Sequence, residues 1–317
     1  MKETVVVAIG GNSLIRDEAH KTVADQYDSV AETAVHLADI VEAGYRLVIC
    51  HGNGPQVGFI LMRSAIAYDA AGLHQVPLSS CVADTQGAIG FQIQQALETE
   101  MRRRGLDKRT ATIVTRVVVD GQDPGFENPT KPVGSFLDKE QMEEVRGSYP
   151  DWRFVEDSGR GFRRVVASPA PEDIVELEAI REVLEKDYVV IACGGGGIPV
   201  VATEQGHEAV DAVIDKDLAS ALLARELKAK RFIISTAVKH VCLNFGQENE
   251  QKLEHLDVQQ LKQYVGEGHF AAGSMLPKIE AAIEFLENGG EEVIITAPEF
   301  LKAAIEHKTG TRVTRSK

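Results

Sequence analysis

Thr4-Val5-Val6-Val7-Ala8-Ile9 is an unbroken β-branched and aliphatic run that stops at Gly10-Gly11-Asn12-Ser13. Such a run offers no polar face to solvent, so it reads as a strand buried on both sides, as in a parallel sheet. The arrangement recurs. Residues 46–50 run into His51-Gly52-Asn53-Gly54-Pro55-Gln56-Val57-Gly58, and residues 188–193 run into Gly194-Gly195-Gly196-Gly197-Ile198-Pro199. Further strand-like runs occupy 111–114, 232–235 and 292–296. Helical patterns lie between them, at 25–43, 54–68, 86–104, 174–185, 217–227 and 278–288. This alternation predicts an α/β fold, an open and mainly parallel sheet with helices on both faces. Ligands in such sheets sit beyond the carboxyl ends of the strands, which is where the glycine loops fall.

Each loop has a functional and a plain reading. Glycines after a buried strand let the backbone approach a ligand and turn its N–H groups inward, but Gly10-Gly11 also suits a simple strand-to-loop turn. In the second loop Pro55 fits a first helical turn, and the free N–H groups there make an anion site. Its glycine spacing is GxGxxxG, without an acidic residue at the ribose distance, so the dinucleotide fingerprint fails. Four consecutive glycines at 194–197 weaken the chain entropically, and close approach of a ligand to the backbone is the expected compensation. No GxxxxGK[ST] occurs, which excludes a P-loop.

The alternation breaks from about 118 to 171, a stretch rich in Gly, Pro, Asp and Arg. Within it, 152–155 and 163–167 read as a β-hairpin around Asp157-Ser158-Gly159-Arg160-Gly161. A structureless loop of that length is unusual, so an inserted subdomain is expected. The basic cluster Arg160, Arg163 and Arg164 is expected to ion-pair with acids rather than touch substrate.

Lys+Arg 34 against Asp+Glu 48 gives a net charge of -14 over 317 residues. That balance argues against nucleic-acid or anionic-membrane partners, which need clustered cations. No signal-peptide core or membrane-spanning run is evident, so a cytoplasmic protein is expected. The four cysteines, Cys50, Cys81, Cys193 and Cys242, form no CxxC pair and read as buried reduced thiols. The histidines show no HExxH and the serines no GxSxG.

Three lysines sit at turns built from glycine or proline. Lys131 lies in Asn128-Pro129-Thr130-Lys131-Pro132, Lys216 in Ile214-Asp215-Lys216-Asp217, and Lys278 in Gly273-Ser274-Met275-Leu276-Pro277-Lys278. Phosphoryl transfer requires cations near the transferring group, because negative charge spreads over its oxygens. Asp215 and Asp217 read either as a helix cap with a first-turn acid, or as carboxylates that hold catalytic lysines and reach Mg²⁺ through water.

These six segments, Val7–Asn12 first and the Lys278 segment last, occur in an order that resembles the carbamate kinases of the amino acid kinase superfamily. The resemblance covers about residues 4–314. The NPTKP and GSMLPK segments are similar to carbamate kinases in particular. It implies a three-layer αβα sandwich with a mainly parallel sheet and a protruding β-rich subdomain. It also implies a homodimer, with a substrate lobe over 1–225 (subdomain about 118–171) and a nucleotide lobe over 226–317. The implied reaction is reversible Mg²⁺-dependent phosphoryl transfer between carbamoyl phosphate and ADP, giving ATP and carbamate, within fermentative arginine catabolism. By position, Gly10, Gly11, Asn12, Gly52, Asn53 and Gly54 resemble the substrate loops, and Lys131 the lysine that reaches carbamoyl phosphate. Lys216 and Lys278 resemble the cations flanking the phosphoryl group, and Asp217 the carboxylate organising them. Thr236, Ala237, Val238, Met275 and Pro277 resemble the nucleotide pocket, which Lys216 and Lys278 border. No metal ligand carries over.

The sequence also departs from relatives. Ala8 stands near where many superfamily members place a lysine, which argues against acetylglutamate kinase. Lys239 follows Val238 where an aspartate is common, and Ser79-Ser80-Cys81-Val82-Ala83-Asp84 is unusual before Thr85-Gln86-Gly87. Two other readings stand beside the first: a superfamily kinase for another small acid, and a non-catalytic nucleotide-sensing paralogue. The retained lysines argue against the second.

Overall fold

The computed structural model describes residues 2–11, 14, 22–156, 159–271 and 273–316. The chain begins with β1 (Thr4–Ile9), α1 (Val23–Glu42), β2 (Arg46–His51), α2 (Gln56–Ala71) and α3 (Leu78–Arg103). Then come β3 (Thr110–Thr112), β4 (Arg116–Val119), α4 (Pro124–Glu127), β5 (Lys131–Leu137) and α5 (Lys139–Ser148). β6 (Arg153–Glu156), β7 (Phe162–Val166), β8 (Pro171–Ile174), α6 (Leu177–Glu185) and β9 (Val189–Ile191) follow. β10 (Ile198–Thr203), β11 (Gly206–Ala209), α7 (Lys216–Glu226), β12 (Arg231–Ser235) and β13 (Val241–Leu243) lead to β14 (Gln251–Leu253) and β15 (His255–Asp257). The last elements are α8 (Val258–Gly266), α9 (Leu276–Glu287), β16 (Glu292–Thr296), α10 (Leu301–Ile305) and β17 (Thr311–Thr314).

The main sheet has the order β15-β17-β16-β12-β1-β2-β9-β3. β1 sits between β2 and β12, parallel to both, in the register Ile9↔His51 and Ile9↔Ser235. The direction reverses only at β17, which runs antiparallel to β16 and parallel to β15. Alternate side chains of β1 enter different cores. Val5, Val7 and Ile9 pack with α1 and α3, whereas Val6 and Ala8 pack with α7 and α9. Both faces are therefore covered, which gives the αβα sandwich and explains why the opening run lacks polar alternation. Each fully buried Val or Ile contributes roughly 1.5–3 kcal/mol relative to exposure.

Several boundaries shift by one to three residues, such as the end of α2 at Ala71 and of β3 at Thr112, and two differences matter for the fold. α3 begins at Leu78, not near 86, behind Pro77, which caps without a side-chain hydrogen bond. Its first turns bury Leu78, Cys81, Val82 and Thr85 at helical spacing despite the polar residues between them. Ile174 ends β8 instead of opening α6, because it pairs antiparallel with Val117 of β4. β4 and β8 belong to a second sheet, β11-β10-β4-β8. Between β4 and β8 the chain forms a small antiparallel sheet, β5-β7-β6. β6 and β7 form the expected hairpin, although its turn residues 157 and 158 lie outside the described residues. Among the described residues no helix is long and apolar enough to cross a membrane.

Candidate active site

A cleft of about 1480 Å³ opens beside the carboxyl ends of β1, β2 and β12. Gly10, Gly11, Gly52, Asn53 and Gly54 line it, as do Lys131, Lys216, Asp217 and Lys278. Thr236, Ala237, Val238, Met275 and Pro277 line it too. Asn12 lies outside the described residues. Apart from Asn12, the structure gathers onto one cleft every residue that the resemblance gives a substrate, nucleotide or catalytic role.

The charged groups form two linked sets. Asp215 is the N-cap of α7, and its Oδ1 accepts from the Asp217 N–H at 2.9 Å. Its Oδ2 accepts from Lys131 Nζ at 2.6 Å. Asp217, only 2% exposed, accepts from Lys216 Nζ on Oδ1 at 2.5 Å and from Lys278 Nζ on Oδ2 at 3.0 Å. A single carboxylate therefore fixes two ammonium groups. Three lysines and two aspartates leave this cluster at 3 − 2 = +1, in a chain whose total is -14. Burial pushes the Asp215 carboxyl up, but Lys131, Lys216 and the Asp217 N–H outweigh it and hold it below the usual range. Glu280 also lines the cleft, where burial and the charge of Asp215 push its carboxyl up.

The glycine loops are shaped mainly by protein neighbours. A Cβ on Gly52 would lie 3.3 Å from Lys216 Cδ, so the missing side chain gives the lysine stem its path along the loop. At 194–197 the close approach expected with ligand proves to be with the protein itself. Added Cβ atoms would strike His51 at Gly194, Asn53 at Gly195, Ile214 at Gly196 and Val117 at Gly197. Of these four glycines only Gly195 lines the cleft.

Thr85 and Gln86, which follow the unusual Ser79–Asp84 segment and lie outside the expected site set, hold the loops in place. Thr85 Oγ1 donates to Asn53 Oδ1 at 2.6 Å, and Asn53 Nδ2 donates to Gly195 O at 3.4 Å. Gln86 clamps Thr115 through its backbone N–H and C=O, and Thr115 Oγ1 accepts from Cys193 N at 3.0 Å. Extending the helical reading back from 86 to Leu78 would have brought Thr85 onto the buried face that Gln86 already shares. His51 is fully buried and its Nδ1 donates to Gly52 O at 2.8 Å. Burial lowers its pKa to about 4, with the Lys216 charge acting in the same direction and the Gly52 hydrogen bond against it.

Arg164 does pair with an acid, Asp211, at 2.8 Å. Arg160 and Arg163 lie over the Phe136 ring, at 4.5 and 5.1 Å from its centroid. Cys50, Cys81 and Cys193 are buried free thiols, but Cys242 is partly exposed and lines the cleft.

Comparison with known proteins agrees with this geometry. The model of the amino acid kinase family matches residues 3–297. The chain is 52% identical over 317 residues to the carbamate kinase-like protein YahI of Escherichia coli (strain K12), covering 100% of both. It is 46% identical over 313 residues to the carbamate kinase of Pyrococcus furiosus, covering 99% of each. Among solved structures, carbamate kinase from Giardia lamblia bound to AMP-PNP superposes with a TM-score of 0.91 at 38% identity, with 99% of both chains covered. Fold, cleft and full-length similarity coincide, and the chain belongs to the amino acid kinase family, within its carbamate kinase group.

Proposed function

We propose that this protein is a carbamate kinase, catalysing reversible phosphoryl transfer between carbamoyl phosphate and ADP to give ATP and carbamate. The observation that carries the reading is the convergence of Lys216 and Lys278 on the two oxygens of buried Asp217, with Lys131 reaching the same cleft. A loose phosphoryl-transfer transition state asks the protein for position and positive charge rather than for a nucleophile. Asp217 supplies the position by holding two ammonium groups before substrate arrives. Carbamate enters as an anion, so its oxygen attacks phosphorus without a general base, and no covalent enzyme intermediate is needed. In this reading Gly10, Gly11, Asn12, Gly52, Asn53 and Gly54 bind carbamate and the phosphoryl group through backbone N–H donors and the asparagine amides. Thr236, Ala237, Val238, Met275 and Pro277 receive the nucleotide. Residues 1–225 act as the substrate lobe, with about 118–171 as its subdomain, and 226–317 as the nucleotide lobe.

Among the described residues no group of three or more His, Cys, Asp or Glu side chains is placed to hold a metal ion. The cleft carboxylates Asp215, Asp217 and Glu280 fit Mg²⁺ carried mainly by nucleotide phosphates and water, the usual mode of an ion that keeps most of its hydration. Asp215, Asp217 and Glu280 would reach its water ligands. When bound, the ion supplies positive charge to the phosphate oxygens.

The protein is further proposed to act as a cytoplasmic homodimer in arginine catabolism. Exposed Ile66 and Phe91 on α2 and α3 support a self-association face. A coupled assay of ATP formation from carbamoyl phosphate and ADP tests the activity. Turnover on that pair is expected; no ATP, with phosphorylation of a different small acid, would overturn the reading.

A further inference from the structure

Arg164, on β7, is largely enclosed, its side chain 12% exposed, and its surroundings connect the small β5-β7-β6 sheet to the catalytic helix. Its guanidinium lies 3.8 Å from the ring centroid of Trp152 and 2.8 Å from Asp211 Oδ2. Trp152 stacks on Tyr149, with centroids 4.2 Å apart, and the Tyr149 hydroxyl accepts from Gln75 beyond α2. Arg164 and Lys131 sit on paired strands, in the register Val133↔Arg164 and Lys131↔Val166. Their acidic partners are four residues apart on one segment, Asp211 for Arg164 and Asp215 for Lys131. Val213 N donates to Ala167 O at 3.0 Å between these two pairs. The segment then runs directly into α7, which carries Lys216 and Asp217.

The two ion pairs differ in what substrate does to them. On the carbamoyl phosphate reading Lys131 turns from Asp215 toward a phosphate oxygen, so that pair loosens during the reaction. The Arg164–Asp211 pair is not asked to change. We infer that Arg164 and Asp211 are positioning residues, a latch that keeps the small sheet seated while Lys131 transfers from Asp215 to the substrate. This inference rests on the proposed carbamoyl phosphate reading. With the latch weakened, the fraction of molecules with Lys131 in place falls, and apparent affinity falls by that fraction. At saturating substrate the lysine is drawn back and turnover recovers.

The test compares wild type with Arg164→Lys, Asp211→Asn and Asp211→Glu. Trp152 is the single tryptophan of the chain, so its emission reports the latch directly. Loss of the charged partner in Asp211→Asn, or of the planar guanidinium over Trp152 in Arg164→Lys, predicts a KM for carbamoyl phosphate raised about three- to fivefold in these two variants. The KM for ADP and kcat stay within about twofold, since transition-state contacts remain. Trp152 emission shifts to the red in both, and Asp211→Glu restores emission and KM. An altered Trp152 spectrum with unchanged KM for carbamoyl phosphate overturns the inference, as does an unaltered spectrum. Equal rises in both KM values with a lowered melting temperature would indicate a merely structural role and overturn it too. If Arg164→Lys fails to fold, Asp211→Asn, altered at a largely exposed carboxylate, decides the outcome. Absence of wild-type ATP formation would instead sink the functional reading, while Trp152 emission in the variants still judges the latch.

Discussion

Replacing Asp217 by asparagine removes one negative charge and almost no volume. Asp217 is 2% exposed and holds Lys216 Nζ at 2.5 Å and Lys278 Nζ at 3.0 Å on separate oxygens. An asparagine offers one acceptor oxygen and one NH₂ donor, so one ammonium group would face N–H hydrogens and swing away. The five-group cluster would rise from +1 to +2, so attraction for an anionic substrate is kept while its direction is lost. Loss of one preorganised donor to a transition-state oxygen costs about 10²–10³ in kcat, or roughly 3–4 kcal/mol. The stability cost is smaller, about 1–3 kcal/mol, because the lysine heads reach cleft water and are not stranded in a dry core. The assay is ATP formation at saturating ADP over a range of carbamoyl phosphate, with a thermal melt by circular dichroism as the fold control. A fall in kcat without a rise in KM is expected. A kcat within about threefold of wild type, in a folded variant, would refute the organising role given to Asp217.

Three other outcomes follow from the same geometry. Lys216→Ala and Lys278→Ala should each abolish measurable turnover while the melt stays cooperative, and wild-type rates in either would remove that lysine from the mechanism. Gly195→Ala places a methyl group on the Asn53 amide at a φ of +67°, and should lower the melting temperature by about 2–5 °C through a loss of about 1–3 kcal/mol. An unchanged melting temperature would show that the loop repacks freely. His51, with a folded pKa near 4 against an ordinary 6.5, binds its proton more readily when unfolded. It therefore contributes stability that is present above pH 6.5 and lost as pH falls toward 4, up to about 3 kcal/mol. Urea midpoints measured across that window should fall in wild type and flatten in His51→Asn, whose amide retains a donor for Gly52; parallel profiles would contradict the burial argument.

The main sheet was legible because its strands are buried on both faces and so carry their own signal. β1 and β16 match the expected runs end to end. The second sheet was not legible. β4 pairs with β10 about 80 residues away, a contact that no local pattern encodes. The start of α3 was missed because Ser79, Ser80 and Asp84 mask a buried face that only the full helical period exposes. The lysines of the cleft were found from their glycine- and proline-built turns, but the pairing of Lys131 with Asp215 spans 84 positions and appears only in three dimensions. The glycine run at 194–197 carried a true signal of close approach, and only the structure identifies the neighbours as His51, Asn53, Ile214 and Val117.

The most direct test of the central claim is phosphorus NMR of carbamoyl phosphate and ADP incubated with the purified protein and Mg²⁺. The account predicts that the γ-phosphate resonance of ATP grows as the carbamoyl phosphate resonance declines faster than without protein, and that the Lys216→Ala protein forms no ATP. Decay to inorganic phosphate alone, or a carbamoyl phosphate resonance that folded wild-type protein and ADP leave unchanged, would contradict it.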